Sequence, residues 1–309
     1  MNKSELSNDD IDLSVFLNAL IRQKWVIALF IFLASISGLF YSLSLPNLYT
    51  SHVQLMPEKG LNASGSNGLG ALSGGLSMLG IGKQGQDNYV SIALKLLEGN
   101  NFIGEFLNEH NLEAVFFASK SWEPTSNTLF FNEKLYDGKE WLREETILKG
   151  KEPTHKELSE NFRSEHLSLS LDDKTGFVSI SVSHVSPHVA YSTLNNLIQY
   201  INNELRNQAI EKSNKKIAYL KDAISNTSDS EIKTGFINML VAEEKDKMLA
   251  SVNTEFVFTV VDPAFLPSDK SGPKRLIILL MFVFFGGFLG VLIALIKEFY
   301  FKGKQNEES

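Results

Sequence analysis

Two uncharged apolar runs near the ends of the chain dominate its hydrophobic pattern. They cover residues 25–45 and 276–296, and each contains 21 residues. At about 1.5 Å of rise per residue, a helix of that length spans a hydrocarbon core of roughly 30 Å. A cleavable signal peptide is the competing interpretation of the first run, but that run exceeds the usual apolar core of roughly 7 to 15 residues and lacks a clear cleavage site. The pattern predicts two transmembrane helices.

Between these runs the chain mixes strand patterns with helix patterns. Alternating polar and apolar residues predict three strands that we expect to pair in one sheet, at 48–56, 165–171 and 176–184. Steps of three and four residues predict helices, namely two in 87–112 with a break at 99–101, one at 139–148 and one at 154–162. A β-rich run at 254–261 should bring the chain back to the sheet.

A long helical pattern begins after Ser186-Pro187. With no glycine or proline between His188 and Thr227, a single helix of about 37 residues, on the order of 55 Å, is expected there. A turn at 226–230 should be followed by a returning helix over 231–252. Such a helix is too long for one compact domain to cover, so its polar centre is either solvated or faces another subunit.

Two segments before the long helix have open interpretations. Residues 11–25 have loosely helical apolar spacing, which predicts a short interfacial helix leading into the first span. Residues 60–85 contain nine glycines in 26 residues, but they do not form a phosphate-binding loop. That motif requires Ser or Thr directly after Gly-Lys, and here Gln84 follows Gly82-Lys83. We expect an apolar loop there, either mobile or ordered against a neighbouring subunit.

The approach to the second span and the span itself contain the candidate functional residues. Pro263, Pro267 and Pro273 predict a stiff, non-helical lead into the bilayer, although each alone also fits a plain linker. Within the span, Gly286 and Gly290 leave one helix face nearly free of side-chain bulk, so another helix can approach it closely. The alternative is that glycine is simply common in membrane helices.

Charge and chemistry exclude several classes of function. The net charge of −7 argues against a nucleic-acid partner, and the absence of cysteine excludes disulfides and thiolate chemistry. His184 and His188 are four residues apart, but Pro187 between them makes a zinc site doubtful. No catalytic motif occurs, so we predict no enzyme, no catalytic residue, no cofactor and no metal site. Cytoplasmic segments next to membrane spans usually carry more Lys and Arg than the opposite side. Near the spans, the terminal segments have five such residues (Arg22, Lys24, Lys297, Lys302 and Lys304) and the long loop has four (Lys59, Lys270, Lys274 and Arg275), which slightly favours cytoplasmic termini.

The order of elements and several short motifs resemble the Wzz-type chain-length determinants, which are polysaccharide co-polymerases of the Gram-negative inner membrane. The motifs are Ser186-Pro187, Asn195-Asn196-Leu197-Ile198, Ile201-Asn202, Met248-Leu249-Ala250, Phe256-Val257-Phe258, Asp262-Pro263-Ala264 and Pro273-Lys274-Arg275. The resemblance implies an α+β membrane protein in which two transmembrane helices flank a periplasmic α/β base with a long extended helical hairpin. The expected divisions are a cytoplasmic tail at 1–24, spans at 25–45 and 276–296, a periplasmic domain at 46–275 and a cytoplasmic tail at 297–309.

The resemblance also implies a function. Such proteins form rings or bells and act with the O-antigen polymerase, without catalysis, to set the modal length of lipopolysaccharide O-antigen. The expected partners are copies of the chain and the polymerase, and the growing lipid-linked glycan is a further candidate. By position, Pro263, Pro267, Pro273, Gly286 and Gly290 would couple the periplasmic domain to the spans. Alternatives are a co-polymerase for another surface glycan (enterobacterial common antigen, capsule or exopolysaccharide), a periplasmic sensor or a periplasmic enzyme.

Overall fold

The computed structural model describes residues 21–57, 88–146 and 150–307. The chain divides into two compact units, one formed by Met1–Asn47 with Ser271–Ser309 and the other by Leu48–Lys270. Most of the interfacial helix expected at 11–25 lies outside the described residues, as does the glycine-rich segment 60–85. The described helices and strands are, in chain order, α1 Lys24–Ser44, β1 Tyr49–Pro57, α2 Asn88–Leu97, α3 Asn100–Glu109, α4 Glu113–Phe117, β2 Ser119–Glu123, β3 Thr128–Phe131, α5 His155–Asn161, β4 Leu167–Leu171, β5 Val178–His184, α6 Pro187–Asn226, α7 Ser230–Val252, β6 Phe258–Asp262 and α8 Arg275–Glu307.

The first unit is built from the two apolar helices α1 and α8. Lys24–Ser44 and the part of α8 from Arg275 to Lys297 are each long and apolar enough to cross a membrane. Helix α1 ends where Leu45 turns extended before Pro46, because a residue followed by proline disfavours helical geometry. The two helices pack along their length, and the rings of Tyr41 and Phe282 lie 5.9 Å apart.

The second unit is centred on an antiparallel sheet of strand order β4-β5-β1-β6. The register places Val53 opposite Ile180 and Leu55 opposite Val178, and all four side chains are buried. Residues between them, such as Ser179, lie on the other face, as the period of two requires. The predicted pairing of the first strand with the later strand pair is therefore confirmed.

Helices cover the buried face of this sheet. The first half of α6 supplies a row of buried residues, Leu194, Leu197, Ile198, Ile201 and Leu205, at the three- and four-residue steps of a helix face. Helix α3 adds Phe102, Ile103, Phe106 and Leu107 to the same core. Ser186 caps α6 by accepting a hydrogen bond from the Val189 N–H, and Pro187 occupies the first helical position.

Beyond Leu205, α6 leaves the core and packs against α7. The Glu243 carboxylate accepts hydrogen bonds from the Ser213 hydroxyl at 3.3 Å and from the Lys216 ammonium at 2.5 Å. Lys221 approaches Glu244 within 3.6 Å. Apolar packing contributes as well, since Ile217 and Leu220 of α6 are buried in this stretch, whereas Ala250 is the one buried residue of α7.

Residues 113–162 differ most from expectation. The helix predicted at 139–148 is wrong over its described part: Asp137 and Gly138 form a turn, and the Asp137 carboxylate accepts hydrogen bonds from the N–H groups of Lys139 and Glu140. These bonds lower the pKa of the Asp137 carboxyl. The hairpin of β2 and β3 was not predicted. Strand β6 begins at Phe258, later than the start of the predicted run at 254.

Candidate functional site

A buried amide fixes the long helix to the sheet. Asn202 on α6 is 4% exposed, and its Oδ1 accepts hydrogen bonds from the N–H groups of Val257 at 2.8 Å and Phe258 at 3.0 Å. Its Nδ2 donates to the Phe258 carbonyl at 3.1 Å. One side chain thus satisfies three backbone groups at the start of β6 and fixes the position of α6 relative to that strand.

The proline segment after β6 is held against strand β1. The buried Ser51 hydroxyl donates to the Phe265 carbonyl at 2.9 Å, and the His52 ring meets the Phe265 ring edge-on with centroids 4.8 Å apart. Pro267 is buried, whereas Pro263 is exposed. The segment is non-helical, as expected. Pro263 and Pro267 therefore lie in the second unit, on a segment tied to the central part of the sheet.

Pro273 and the two candidate glycines lie in the first unit. Pro273 is half-buried and is followed by Arg275, whose guanidinium donates to the Asn47 side-chain oxygen at 3.1 Å. Gly286 and Gly290 are buried against α1. A Cβ at Gly290 would lie 3.0 Å from the Ile27 Cα, and a Cβ at Gly286 would overlap the Ala34 Cβ. At both positions the backbones approach too closely for a larger residue.

Two neighbouring histidines, the buried His184 and the half-buried His166, lie close to the start of α6 with ring centroids 6.0 Å apart. The Ser186 N–H donates to His184 Nδ1 at 3.1 Å, so the proton of the neutral ring is on Nε2, which lies 2.9 Å from the Val115 carbonyl oxygen. His166 has its two ring nitrogens near the carbonyl oxygens of Ser183 and Phe116. Burial lowers the pKa of His184 to about 4 and also lowers the pKa of His166.

These histidines predict a loss of stability in acid. Because the pKa of His184 is lower when folded than its unfolded value of about 6.5, the unfolded chain binds more protons as pH falls from 6.5 towards 4. Above pH 6.5 the folded protein has the full stabilisation from its neutral histidines. As the pH falls to 4, protonation of His184 lowers the free energy of unfolding by about 3 kcal/mol, and His166 acts in the same direction. Chemical unfolding at several pH values should show it.

The matched comparison uses two single substitutions. We expect His184→Gln to flatten the pH dependence between pH 7 and 4, and His188→Gln, at an exposed position on α6, to leave it unchanged. Equal slopes for the wild type and His184→Gln would show that the buried ring does not control acid stability.

Metal-ligating side chains are not clustered in the described part of the chain. No group of three or more His, Asp or Glu side chains in 21–57, 88–146 and 150–307 could hold a metal ion. Two carboxylates of α7 form ion pairs with lysines of α6 instead, Glu243 with Lys216 and Glu244 with Lys221.

One face of α7 is apolar and uncovered. Ile237, Val241, Met248 and Val252 fall within about 60° of one another around the helix axis and form the α7 stripe, which extends about 22 Å. These side chains are 43–73% exposed. Glu243, which contacts α6, lies on a different side of α7. A stripe of this length is a candidate protein-contact surface.

Sequence reasoning missed two features. The structural role of Asn202 was not predicted, and the residue was named only as part of a motif. A polar residue within a helix usually faces solvent, and the backbone groups that Asn202 binds lie 55 residues or more away in the chain. The stripe on α7 was missed because glutamates and lysines between its members hide the spacing.

Comparison with known proteins gives a consistent set of similarities. Residues 9–110 match the family described as "Wzz: Chain length determinant protein". Among solved structures, the chain is similar to a full-length bacterial polysaccharide co-polymerase, with 13% identity, a TM-score of 0.37 and coverage of 95% of this chain and 99% of that one. It is also similar to a fragment of the polysaccharide co-polymerase WzzB from Salmonella Typhimurium, with 13% identity, a TM-score of 0.36 and coverage of 73% and 100%. No curated protein matches.

Proposed function

We propose, from the resemblance to Wzz-type chain-length determinants and the family match over residues 9–110, that this chain is a non-catalytic regulator of polysaccharide chain length. It acts as an oligomer in the bacterial inner membrane, together with the O-antigen polymerase, and sets the modal length of lipopolysaccharide O-antigen. The match over residues 9–110 carries this proposal, because it includes the first apolar helix and the central strand β1. The length distribution of the glycan is the property that should depend on the chain.

Two apolar helices near the ends support a membrane protein with most of its chain on one side. We place the termini in the cytoplasm and Leu48–Lys270 in the periplasm, in keeping with the slight excess of basic residues outside the spans. The cysteine-free sequence makes labelling a clean test. A cysteine at Ser230 should react with an impermeant maleimide from the periplasm, and one at Ser7 only after lysis; the reverse would refute this orientation.

The uncovered stripe on α7 supports an oligomer. Four apolar side chains in a line are costly to leave in water, at roughly 25 cal/mol per Å². A second copy of the same chain would cover them, and the predicted ring requires a contact that repeats from subunit to subunit. The stripe lies away from Glu243, so a neighbouring copy could cover it without disturbing the contacts of Glu243 with Ser213 and Lys216 on α6.

Introducing a charge into the stripe should break the oligomer. We expect Val241→Glu to shift the cross-linked product from high oligomers to monomers and dimers, and to broaden the ladder of O-antigen lengths. A buried unpaired carboxylate costs several kcal/mol at such a contact, enough to shift assembly by a hundredfold or more. Chemical cross-linking in intact cells measures it.

The control introduces the same charge beside the stripe. Ala242 is exposed and lies about 100° around the helix from Val241, so Ala242→Glu should assemble as the wild type does. If both variants assemble normally, α7 is not the subunit contact. If both fail, the added charge acts through something other than the stripe.

We further propose that the proline segment and the glycine face couple the periplasmic domain to the second span. The coupling would begin at β1, where Ser51 and His52 hold Phe265, and continue covalently through Pro267 and Pro273 into α8. Gly286 and Gly290 would then transmit the position of α8 to α1 through close backbone contact. This assigns the five residues a role in positioning only.

A further inference from the structure

A polar cleft with an aromatic wall lies in the region around residues 111–152. It has a volume of about 520 Å³, and its lining includes Asn111, Glu113, Tyr136, Lys139, Trp141 and Glu152. This volume is enough for one or two sugar rings and falls within the usual range for small-molecule sites. The cleft is separate from the α7 stripe and from the proline segment, and the function proposed above assigns it no role.

The aromatic wall is built by a tight turn. Tyr136 and Trp141 face each other across an antiparallel bridge that Asp137 and Gly138 close, and Gly138 adopts a φ of +98°, which a residue with a side chain rarely adopts. The two rings lie 5.1 Å apart at an interplanar angle of 52°. Both side chains are half-buried, so part of each is accessible from the cleft.

Contacts behind the wall hold it in place. The Trp141 ring meets Phe117 edge-on at 5.9 Å, and the Arg143 guanidinium covers the Phe117 ring at 5.3 Å. Arg143 in turn pairs with Glu157 at 2.9 Å, with side-chain exposures of only 13% and 18%. Glu157 also caps α5, so the series of contacts that begins at Trp141 ends on that helix. The aromatic wall is therefore preorganised, which lowers the entropic cost of binding a ligand.

The polar rim is rich in groups that can form new hydrogen bonds. Lys139, Glu140, Lys151 and Glu152 line the cleft, and none of these side chains makes a hydrogen bond or an ion pair within the described part of the chain. Together with Glu113, the lining holds three carboxylates and two ammonium groups. A strongly charged ligand of either sign would meet like charges there, and an apolar ligand would leave these groups unpaired.

We propose that this cleft binds a short segment of glycan. A pyranose ring presents C–H groups that pack on aromatic faces, here those of Trp141 and Tyr136, and hydroxyls that both donate and accept, which suits a rim of carboxylates, ammonium groups and the Asn111 amide. The assignment rests on the proposed function, which brings the chain close to a growing polysaccharide. It gives the regulator a direct contact with the polymer whose length it sets.

Titration calorimetry on the full chain in lipid nanodiscs tests the assignment. The first probe is delipidated O-polysaccharide fragments released by mild acid from lipopolysaccharide of the parent strain. We expect wild-type protein to bind them, Trp141→Ala to bind on the order of tenfold more weakly, and Trp122→Phe, which alters a tryptophan outside the cleft, to bind normally.

A rim variant keeps the test valid if Trp141→Ala fails to fold. Lys139 and Glu152 are exposed, so the double substitution Lys139→Ala and Glu152→Ala should leave folding intact and weaken binding severalfold. Absence of binding to the wild type at millimolar fragment, or equal binding by the wild type and the rim variant, would overturn the proposal.

A second probe separates the glycan from its lipid. Lipid-linked glycan incorporated into the same nanodiscs should lose affinity in the rim variant to the same extent as the free fragments. If only the lipid-linked probe binds and the rim variant binds it equally, recognition belongs to the lipid and the cleft proposal fails. A chain that restores the O-antigen length pattern in cells without binding either probe would refute the cleft but leave the proposed function standing.

Discussion

Replacing Asn202 with alanine is expected to lower the free energy of unfolding by about 3 to 5 kcal/mol. The substitution removes three hydrogen bonds and leaves two backbone N–H groups and one carbonyl buried without partners, and each such group costs roughly 1 to 3 kcal/mol. Because α6 would lose its fixed position relative to β6, we also expect the chain-length pattern to broaden in cells. Stability is measured by denaturant unfolding in detergent, followed by tryptophan fluorescence.

The neighbouring residue supplies the control. Asn203 is exposed, so Asn203→Ala should change the free energy of unfolding by less than about 0.5 kcal/mol. Trp122 and Trp141 both lie in the unit formed by Leu48–Lys270, so the fluorescence change reports mainly on that unit. Similar midpoints for the two variants would mean that Asn202 does not hold α6 to the sheet.

Replacing Gly286 with leucine is expected to force α1 and α8 apart. Even a Cβ at this position would overlap the Ala34 Cβ and lie 3.1 Å from the Phe30 carbonyl oxygen, so the helices must separate to admit a larger side chain. Overpacking of this kind costs about 1 to 3 kcal/mol. The atoms of Phe30 and Ala34 that face Gly286 cannot move aside unless the whole of α1 moves. We therefore expect the packed arrangement to become about tenfold less populated or worse.

Cross-linking can report this separation directly. In the cysteine-free chain, Tyr41→Cys with Phe282→Cys places two thiols on facing helices, because the two rings that they replace lie 5.9 Å apart. Adding Gly286→Leu should reduce the rate of disulfide formation about tenfold. Gly287→Ala is the control, since its Cβ would lie at an ordinary 3.7 Å from the Ile31 side chain. Equal rates in both backgrounds would show that the glycine face does not set the helix separation.

The local patterns of the sequence were enough to place most elements. The alternation at 165–171 and 176–184 is seen in β4 and β5 because one face of β5 is buried and the matching face of β4 is partly buried, while the other faces carry serines. The break at 99–101 became the boundary between α2 and α3 at Gly99. The helices expected from 188 and over 231–252 correspond to α6 and α7. No proline occurs in α6 after its first position or anywhere in α7, so neither helix is interrupted.

The failures come from local backbone geometry. At 139–148 the helical spacing was present, but Gly138 adopts a φ of +98° and the chain turns back so that Tyr136 and Trp141 form an antiparallel bridge. The β2–β3 hairpin was missed because its strands are four and five residues long, and Asn127 in the turn adopts a φ of +50°, which asparagine tolerates. A turn of Thr125-Ser126-Asn127 between Trp122 and Phe130 was the available signal.

The functional surfaces were less predictable than the fold. Gly286 and Gly290 could be chosen from spacing alone because close helix packing requires small residues at regular steps. The role of Asn202 and the cleft around Trp141 depend on contacts between residues that are roughly 20 to 60 positions apart in the chain. The α7 stripe depends on which face of the helix stays exposed. No local sequence pattern encodes either property. The coupling role of the prolines stays a prediction.

The most direct test of the central claim is the lipopolysaccharide profile of the parent strain with and without this gene, resolved on a gel. We expect deletion to replace a clustered ladder of O-antigen lengths with an unclustered one while polymer is still made, and expect the wild-type gene on a plasmid to restore the cluster. Loss of all polymer would indicate a role in synthesis itself. An unchanged ladder would contradict the proposed regulation of O-antigen and direct the search to another surface glycan.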